Sequence, residues 1–285
     1  MIARSTDDRQ ILREGGNRLG EILQEVAAAV RPGVTIYELD QLAERLIVEA
    51  GGSPAFKGYH PRHAPQPYPG SLCTSVNSEV VHGVPTRGII LKEGDIIGLD
   101  IGMQWPSSAK ASEGKPSDSK FLPLTSGGGA RGGGGGGLYT DTAVTVGVGK
   151  ISKEAQRLLD VTRQALDAGI AAAVYESRVS DISKAVQVAV ELAGFSVIRD
   201  LVGHGVGRQV HEEPQVPNFW DPRATDTVLT NGMVIAIEPM VAAGNWRVKA
   251  LPDGWTIVTQ DGSLAAHFEH TVLITKEGTE VMTQA

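Results

Sequence analysis

The sequence of 285 residues contains one cysteine, Cys73, so no intrachain disulfide can form and the reducing cytoplasm is the expected compartment. No apolar run approaches the roughly 20 residues that span a membrane, and the first residues lack the apolar segment of a signal peptide. A basic excess is also missing, because the net charge is −7, which argues against nucleic acid as a partner. These absences favour a cytoplasmic globular protein, and a hydrophobic fraction of 41% is enough for a sizeable core.

Two pairs of helices are predicted from the spacing of apolar residues. The first pair covers residues 7–30 and the segment after Thr35–Glu38, which has the sequence of a capping box. The second pair begins near Ile151, and each pair is followed by segments typical of strands. The order helix, helix, strands therefore occurs twice. We expect one α+β domain over the whole chain, with pseudo-repeat halves at about 8–150 and 151–278.

Four predicted strands each carry one acidic residue among apolar neighbours: Asp100, Asp141, Glu238 and Glu269. A single buried carboxylate is normally paired within the protein. Four of them, with few strand-embedded Lys or Arg, repel one another and favour a bound cation. With His204, which lies between glycines, they form an oxygen-rich set suited to Mn²⁺, Fe²⁺, Co²⁺ or Zn²⁺. Two such ions with a bridging hydroxide are the arrangement of metal-assisted hydrolysis.

Two further histidines, His82 and His211, lie at predicted strand ends beside turns. From there they can donate hydrogen bonds to an oxyanion or to a scissile amide. A single histidine in such a place is more often structural, and the same holds for His204 taken alone.

A segment rich in Pro, Ser, Lys and Gly, residues 103–137, separates Asp100 from Asp141. It is either a linker between two domains or a low-complexity flexible insertion in a hairpin that brings both aspartates to one site. The hairpin is favoured, because the other three candidate ligands need both aspartates at one place. Loop-closure entropy grows by only about 0.6 kcal/mol per doubling of loop length, so the hairpin still forms. We expect the insertion to be disordered and to protrude, and its few basic and aromatic residues give little support to RNA binding.

Several motifs, in the same order, closely resemble those of bacterial type I methionine aminopeptidases, which belong to peptidase family M24. The resemblance extends from about residue 8 to residue 276. It implies the α+β pita-bread fold, in which two pseudo-symmetric helix-helix-strand halves and a central antiparallel sheet surround a dinuclear metal site. The motifs are Val81-His82-Gly-Val-Pro, Gly203-His204-Gly-Val-Gly-Arg, Val210-His211-Glu-Glu-Pro-Gln-Val, Ile237-Glu238-Pro-Met, Asp253-Gly-Trp255-Thr and Phe268-Glu269-His-Thr.

The activity implied by this resemblance is hydrolysis of the N-terminal initiator methionine from nascent proteins with a small second residue, through a metal-bridging hydroxide. Two divalent ions per chain are implied, of Co, Mn, Fe or Zn. Glu238 would also shuttle a proton, and His82 and His211 would contact the scissile peptide. The implied catalytic residues are thus His82, His204, His211 and Glu238, and the implied metal ligands are Asp100, Asp141, His204, Glu238 and Glu269.

The resemblance also implies a pocket for the methionine side chain, and this sequence departs from the family near it. Val210 stands where an aromatic residue is common, Phe56 stands where a small residue is frequent, and residues 60–68 form a longer segment than usual. Val210 and Phe56 are expected to change the shape of the pocket, and the longer segment makes Tyr68 a less direct match to the family than Tyr59. The implied substrate-binding residues are Tyr59, Tyr68, Cys73, His82, His211 and Trp255.

Two other functions stay open on the sequence. One is a prolidase or X-Pro aminopeptidase of the same fold, although such enzymes usually carry an N-terminal domain that is absent here. The other is a non-catalytic pita-bread binding module, although such proteins lose ligands and all five are present here. For the leading function we expect nascent polypeptide N-termini near the ribosome as partners, no nucleic acid or membrane, and a monomer.

Overall fold

The computed structural model describes residues 1–61, 64–107, 137–223 and 225–284. Within these ranges the helices are α1 (Thr6–Ala28), α2 (Ile36–Glu49), α3 (Lys153–Ala172) and α4 (Val179–Leu192), with a 3-10 helix at Pro85–Arg87. None of the helices in the described ranges is long and apolar enough to cross a membrane. The strands are β1 (Ser53–Pro54), β2 (Leu72–Val76), β3 (Glu79–Val81), β4 (Ile96–Trp105), β5 (Leu138–Gly147), β6 (Ser196–Val197), β7 (Val202–Gly205), β8 (Glu212–Pro217), β9 (Val234–Ile237), β10 (Met240–Ala242), β11 (Val248–Ala250), β12 (Ile257–Thr259), β13 (Ala265–His267), β14 (Glu269–Ile274) and β15 (Thr279–Val281).

Side-chain caps define where the long helices begin. The hydroxyl of Thr35 accepts the backbone N–H of Glu38, and the Glu38 carboxylate accepts the Thr35 N–H at 2.8 Å. This is the predicted capping box, and it satisfies two N–H groups that would otherwise lack partners at the start of α2. Ser152 caps α3 in the simpler way, by accepting the N–H of Ala155.

The central sheet is antiparallel at every pairing within the described residues. Its main path runs in the order β1-β4-β5-β14-β9-β7-β8, with β2 added beside β4 and β15 beside β14. Strands β4 and β5 from the first part of the chain therefore adjoin β14 and β9 from the last part. Two three-stranded sheets, β13-β10-β6 and β11-β12-β3, flank the central one.

Strands β4 and β5 form the long hairpin predicted for the two aspartates. They pair without a register shift from Ile96–Gly147 to Trp105–Leu138. Strand β4 thus continues through Met103, Gln104 and Trp105, which were predicted to belong to the insertion. These three residues are part of the strand because they still pair with β5. Residues 108–136, which carry most of the predicted insertion, lie outside the described part of the chain.

Each pair of helices covers one part of the central sheet with an apolar layer. Leu19 of α1 and Leu39 of α2 pack in one buried cluster with Leu99 and Ile101 of β4. A second cluster joins the helices α3 and α4 to Ile237 and other residues of β9 and β14. In a strand successive side chains alternate between faces, so Asp100 and Glu238, which neighbour Leu99, Ile101 and Ile237 in the chain, point away from these helices.

Candidate metal centre and substrate pocket

The register of the central sheet places the candidate metal ligands on one face. Ala143 of β5 is their common neighbour, with Asp100 of β4 opposite it on one side and Glu269 of β14 on the other. Asp141 lies two residues from Ala143 along β5 and so points the same way. The next strand, β9, pairs with β14 and is directly followed by Glu238. The four acids predicted from separate strands therefore converge.

His204 of β7 joins these acids from the far side of β9. Its Nε2 lies 3.5 Å from Asp141 Oδ2 and 3.5 Å from Glu238 Oε1. Its Nδ1 lies 3.0 Å from the carbonyl oxygen of Gly205, which is the contact that orients metal-binding imidazoles. Ligand atoms of Asp141, His204 and Glu269 all lie within 4.8 Å of one another. We call the converging residues the acidic cluster: Asp100, Asp141, His204, Glu238 and Glu269.

Two threonine hydroxyls form hydrogen bonds beside the acids of β5 and β14, one to the carboxylate of Asp141 and one to the backbone of Glu269. Thr271 Oγ1 donates to Asp141 Oδ1 at 2.9 Å and accepts the Asp141 backbone N–H at 3.1 Å. Thr142 Oγ1 donates to the carbonyl oxygen of Glu269 at 2.8 Å. These side-chain bonds join the two strands beside the acidic residues, and they leave the second oxygen of Asp141 directed at His204.

The electrostatics of the acidic cluster disfavour four negative charges. Burial raises the pKa of Glu238 to about 8, and Asp141 nearby adds to the increase. Burial also raises the pKa of Asp100 to about 7, and it raises the pKa values of Asp141 and Glu269. Among the described residues, the ion pairs of these carboxylates are with imidazoles and not with Lys or Arg. A divalent cation is the counter-charge that such a set of donors fits.

His267, which the sequence analysis did not assign, also faces the acidic cluster. Its side chain is buried, with Nε2 3.6 Å from Glu238 Oε2 and 4.0 Å from Glu269 Oε2. Burial lowers the pKa of the imidazole. The sequence carried one signal for this residue, because His267 precedes Glu269 by two positions and alternate residues of an extended chain share a face.

Of the two predicted peptide-contacting histidines, His211 lies beside His204 of the acidic cluster and His82 lies beside Trp255. His211 has its ring centroid 4.4 Å from that of His204 and its Nδ1 3.0 Å from Tyr59 Oη. Desolvation and the neighbouring His204 and His82 lower the pKa of His211, so its ring is neutral near pH 7. His82 has φ 57°, an uncommon left-handed conformation for a residue with a side chain, and its ring centroid is 6.3 Å from Trp255.

A buried aromatic group adjoins the acidic cluster where the sequence placed the substrate pocket. The rings of Tyr68 and Trp255 meet edge to face at 5.2 Å, and Tyr68 Oη donates to the Gly83 carbonyl at 2.8 Å. Cys73 packs with them and lies opposite Asp100 in the β2–β4 pairing. We call this set the aromatic pocket: Tyr59, Tyr68, Cys73 and Trp255.

The three departures noted in the sequence lie close to this pocket. Phe56 packs against it and covers Gly102, because a Cβ at Gly102 would lie 2.7 Å from the ring. Val210 is buried directly before His211. The two ends of the longer segment are joined by a hydrogen bond, in which the Tyr68 N–H donates to the Tyr59 carbonyl at 2.9 Å. Residues 62–63 of this segment lie outside the described ranges.

The chain matches the family model of metallopeptidase family M24 over residues 10–109 and 130–276, and it belongs to that family. A relative from Clostridium perfringens, named methionine aminopeptidase, is 41% identical over 283 residues, which cover 99% of this chain and 98% of that protein. The crystal structure of methionine aminopeptidase from Thermotoga maritima is similar with a TM-score of 0.84 at 38% identity, and the match covers 100% of both chains.

A third comparison shows the fold alone. Prolidase from Pyrococcus furiosus has a TM-score of 0.65 at 18% identity, and the match covers 100% of this chain but 66% of that chain. The predicted resemblance to bacterial methionine aminopeptidases and the predicted pita-bread fold are confirmed by the family and by these structures. The roles of single residues stay predictions, and the geometry above is what supports them.

Proposed function

We propose that the protein is a metal-dependent aminopeptidase that removes the initiator methionine from nascent polypeptides with a small second residue. The observation that carries this proposal is the junction of the acidic cluster with the aromatic pocket. Cys73, a pocket residue, lies directly opposite Asp100, a cluster residue, on adjacent strands. A methionine side chain in the pocket would thus place its own peptide bond beside the carboxylates.

The metal is assigned to the acidic cluster. Asp100, Asp141, His204, Glu238 and Glu269 would hold two divalent ions, because their buried carboxylates need positive charge and their oxygen and nitrogen donors suit Mn, Fe, Co or Zn. When bound, such ions polarise a carbonyl and lower the pKa of a water molecule.

Glu238 is the residue we assign to proton transfer. A carboxyl group held beside a metal site can accept a proton from a water molecule and release it again, and in the metal-free protein burial raises the pKa of Glu238 to about 8. One of its oxygens faces His204 and the other faces His267, so the carboxyl group keeps one orientation during the transfer.

His82 and His211 are assigned to the peptide that is cleaved. His211 is neutral, since its pKa is lowered, and a neutral imidazole can donate one N–H to the oxygen of the tetrahedral intermediate. Tyr59 contacts Nδ1 of that ring at 3.0 Å and so orients the second nitrogen. The left-handed backbone of His82 is the kind of strained conformation that persists where the surrounding structure requires it.

The aromatic pocket is assigned to the methionine side chain. Tyr68 and Trp255 are buried and present ring edges and faces, against which a thioether gains about 0.3–1.5 kcal/mol per contact. The hydroxyl of Tyr68 is bonded to the backbone at Gly83, which leaves the apolar part of the ring for the substrate. The proposed partners are the N-termini of nascent chains near the ribosome in the cytoplasm. We propose that the protein acts on them as a monomer and that it binds neither nucleic acid nor membranes.

The test is hydrolysis of Met-Ala-Ser by protein loaded with Mn²⁺ or Co²⁺, compared with an X-Pro peptide and with Met-Leu-Ser. Release of methionine from Met-Ala-Ser alone supports the proposal. Preferential cleavage of the X-Pro peptide would instead make the protein a prolidase, and binding without turnover would make it a non-catalytic module. Metal analysis of protein purified without added metal gives the number and identity of the ions.

A further inference from the structure

The Nε2 atom of His267 faces the acidic cluster and has no hydrogen bond to the described residues. The His267 side chain is 4% exposed. Buried nitrogen atoms are normally satisfied, and one that lacks a protein partner in a native structure points to a bound water molecule or ion. The orientation of this nitrogen therefore requires an explanation.

Hydrogen bonds hold the backbone of His267 in place, so the fold determines the face on which its ring lies. Thr145 Oγ1 accepts the His267 N–H and donates to the His267 carbonyl, both at 2.9 Å. In addition, Met240 of β10 pairs with His267 of β13. These contacts place the side chain on the acidic face of the central sheet.

The distances around Nε2 distinguish between a hydrogen bond and a shared cation. Hydrogen bonds of this type have lengths of about 2.7–3.2 Å, but Nε2 lies 3.6 Å from Glu238 Oε2 and 4.0 Å from Glu269 Oε2. Two donor atoms that bind one ion at about 2.1 Å are separated by roughly 3.0–3.5 Å. The 3.5 Å distances from His204 Nε2 to Asp141 and Glu238 are of the same kind.

The two imidazoles approach different oxygens of one carboxylate. His204 Nε2 lies next to Glu238 Oε1, and His267 Nε2 lies next to Glu238 Oε2. Glu238 is thus flanked by one nitrogen donor on each side. We propose that His267 Nε2 is a second nitrogen donor to the metal centre, so that the centre holds two imidazoles rather than the single one expected from the sequence. This inference rests on the metal use proposed above.

The experiment counts bound imidazoles in the Co²⁺-loaded full chain by proton NMR. Each Co²⁺-bound histidine gives a strongly shifted signal from its ring N–H, and ¹⁵N-labelled histidine identifies these signals. We expect two such signals in the unaltered protein. A single signal, lost on His204→Gln, would overturn the proposal, and this measurement needs no variant of His267.

The variant His267→Gln tests the same inference through affinity. Glutamine can still donate a hydrogen bond to Glu238, so a role limited to hydrogen bonding would be preserved. We expect Co²⁺ to bind at least about tenfold more weakly, measured by its visible absorption, and one shifted signal to be lost. Unchanged affinity and unchanged signals would contradict the proposal.

The matched control is His270→Gln. His270 lies three residues further along the chain and is turned to the opposite face, where its Nδ1 lies 2.9 Å from Thr283 Oγ1. This control is expected to keep both signals and the Co²⁺ affinity. Hydrolysis of Met-Ala-Ser is measured in parallel, because a protein that shows two signals but no turnover would contradict the proposed function and leave this inference supported.

Discussion

The acidic cluster and the aromatic pocket share a border but are built differently. The cluster residues lie in, or directly after, strands of one sheet, where register fixes which side chains meet. In the pocket, Tyr59, Tyr68 and Trp255 come from loops, and Cys73 alone lies in a strand. The difference indicates that the sheet holds the proposed metal ligands rigidly, whereas the proposed substrate pocket is formed mainly by segments that tolerate change.

The largest expected effect comes from the cluster. Glu238→Ala should lower kcat by about 10²–10⁴-fold, because it removes the group assigned to proton transfer, while leaving the pocket unaltered. Steady-state kinetics with Met-Ala-Ser measure this, and Glu280→Ala, which removes an exposed carboxylate paired with Arg13, serves as control. Turnover that survives in Glu238→Ala would refute the assigned mechanism.

A change in the aromatic pocket is expected to have a smaller effect, on kcat/KM for methionine peptides and not on metal binding. Trp255→Ala removes the wall that meets Tyr68 at 5.2 Å and should lower kcat/KM for methionine peptides about 10–200-fold, the range for lost pocket contacts. The affinity for Co²⁺ should stay unchanged. If this variant instead loses metal and keeps its selectivity, the separation between the two regions is wrong.

Stability should depend on pH through the cluster. In metal-free protein the pKa values of Glu238 and Asp100 are raised to about 8 and about 7 by burial, so the folded state binds more protons than the unfolded state. Between pH 7.5 and 8.5 the free energy of unfolding should therefore fall as pH rises, on the order of 1 kcal/mol per pH unit.

Thermal unfolding of chelator-treated protein measures this slope. The lowered pKa values of His211, His267 and His270 oppose this slope near pH 6.5, where an unfolded imidazole is half protonated. Their contribution disappears above about pH 7.5, so the fall in stability is read between pH 7.5 and pH 8.5. Saturating Mn²⁺ should raise Tm more at pH 8.5 than at pH 6.5. A metal-free protein that becomes more stable toward pH 8.5 would contradict the assigned burial of the carboxylates.

The smallest effect is expected from a change made outside both the acidic cluster and the aromatic pocket. Replacing residues 108–136 with a four-residue turn should leave kcat, KM and Tm nearly unchanged, because Trp105 and Leu138 are already paired neighbours at the end of the hairpin. Kinetics and thermal unfolding of the shortened protein measure this. A loss of activity would show that the segment takes part in the site.

The sequence pointed to the acids that the structure brings together, for a physical reason. An acid in an apolar strand is conspicuous, and alternation assigns it to a face. Asp100 and Asp141 could be located in this way although 103–137 separates them. The end of β4 at Trp105 was missed, because the Gly- and Pro-rich composition of the insertion obscured where the ladder stops.

His267 and the pocket show what the sequence alone could not provide. His267 was passed over because one histidine near a strand is usually structural, and only the coordinates place its Nε2 beside Glu238. The contact between Phe56 and Gly102 depends on the path of a loop. Local patterns do not encode such a path, since distant segments determine it.

The order of the proposed metal ligands along the chain has a consequence for how the protein is made. Asp100 and Asp141 belong to a hairpin that can form early, but Glu269 lies 128 residues after Asp141 in the sequence, and Thr271, which orients Asp141, follows it. Because the N-terminal part of a chain leaves the ribosome first, the hairpin emerges with two acidic side chains before the other proposed ligands have been synthesised. Under the proposed assignment, the metal site is complete only after the ribosome has synthesised the chain as far as Glu269. The proposed activity would therefore be acquired late, and a chain truncated before Glu269 should bind metal poorly.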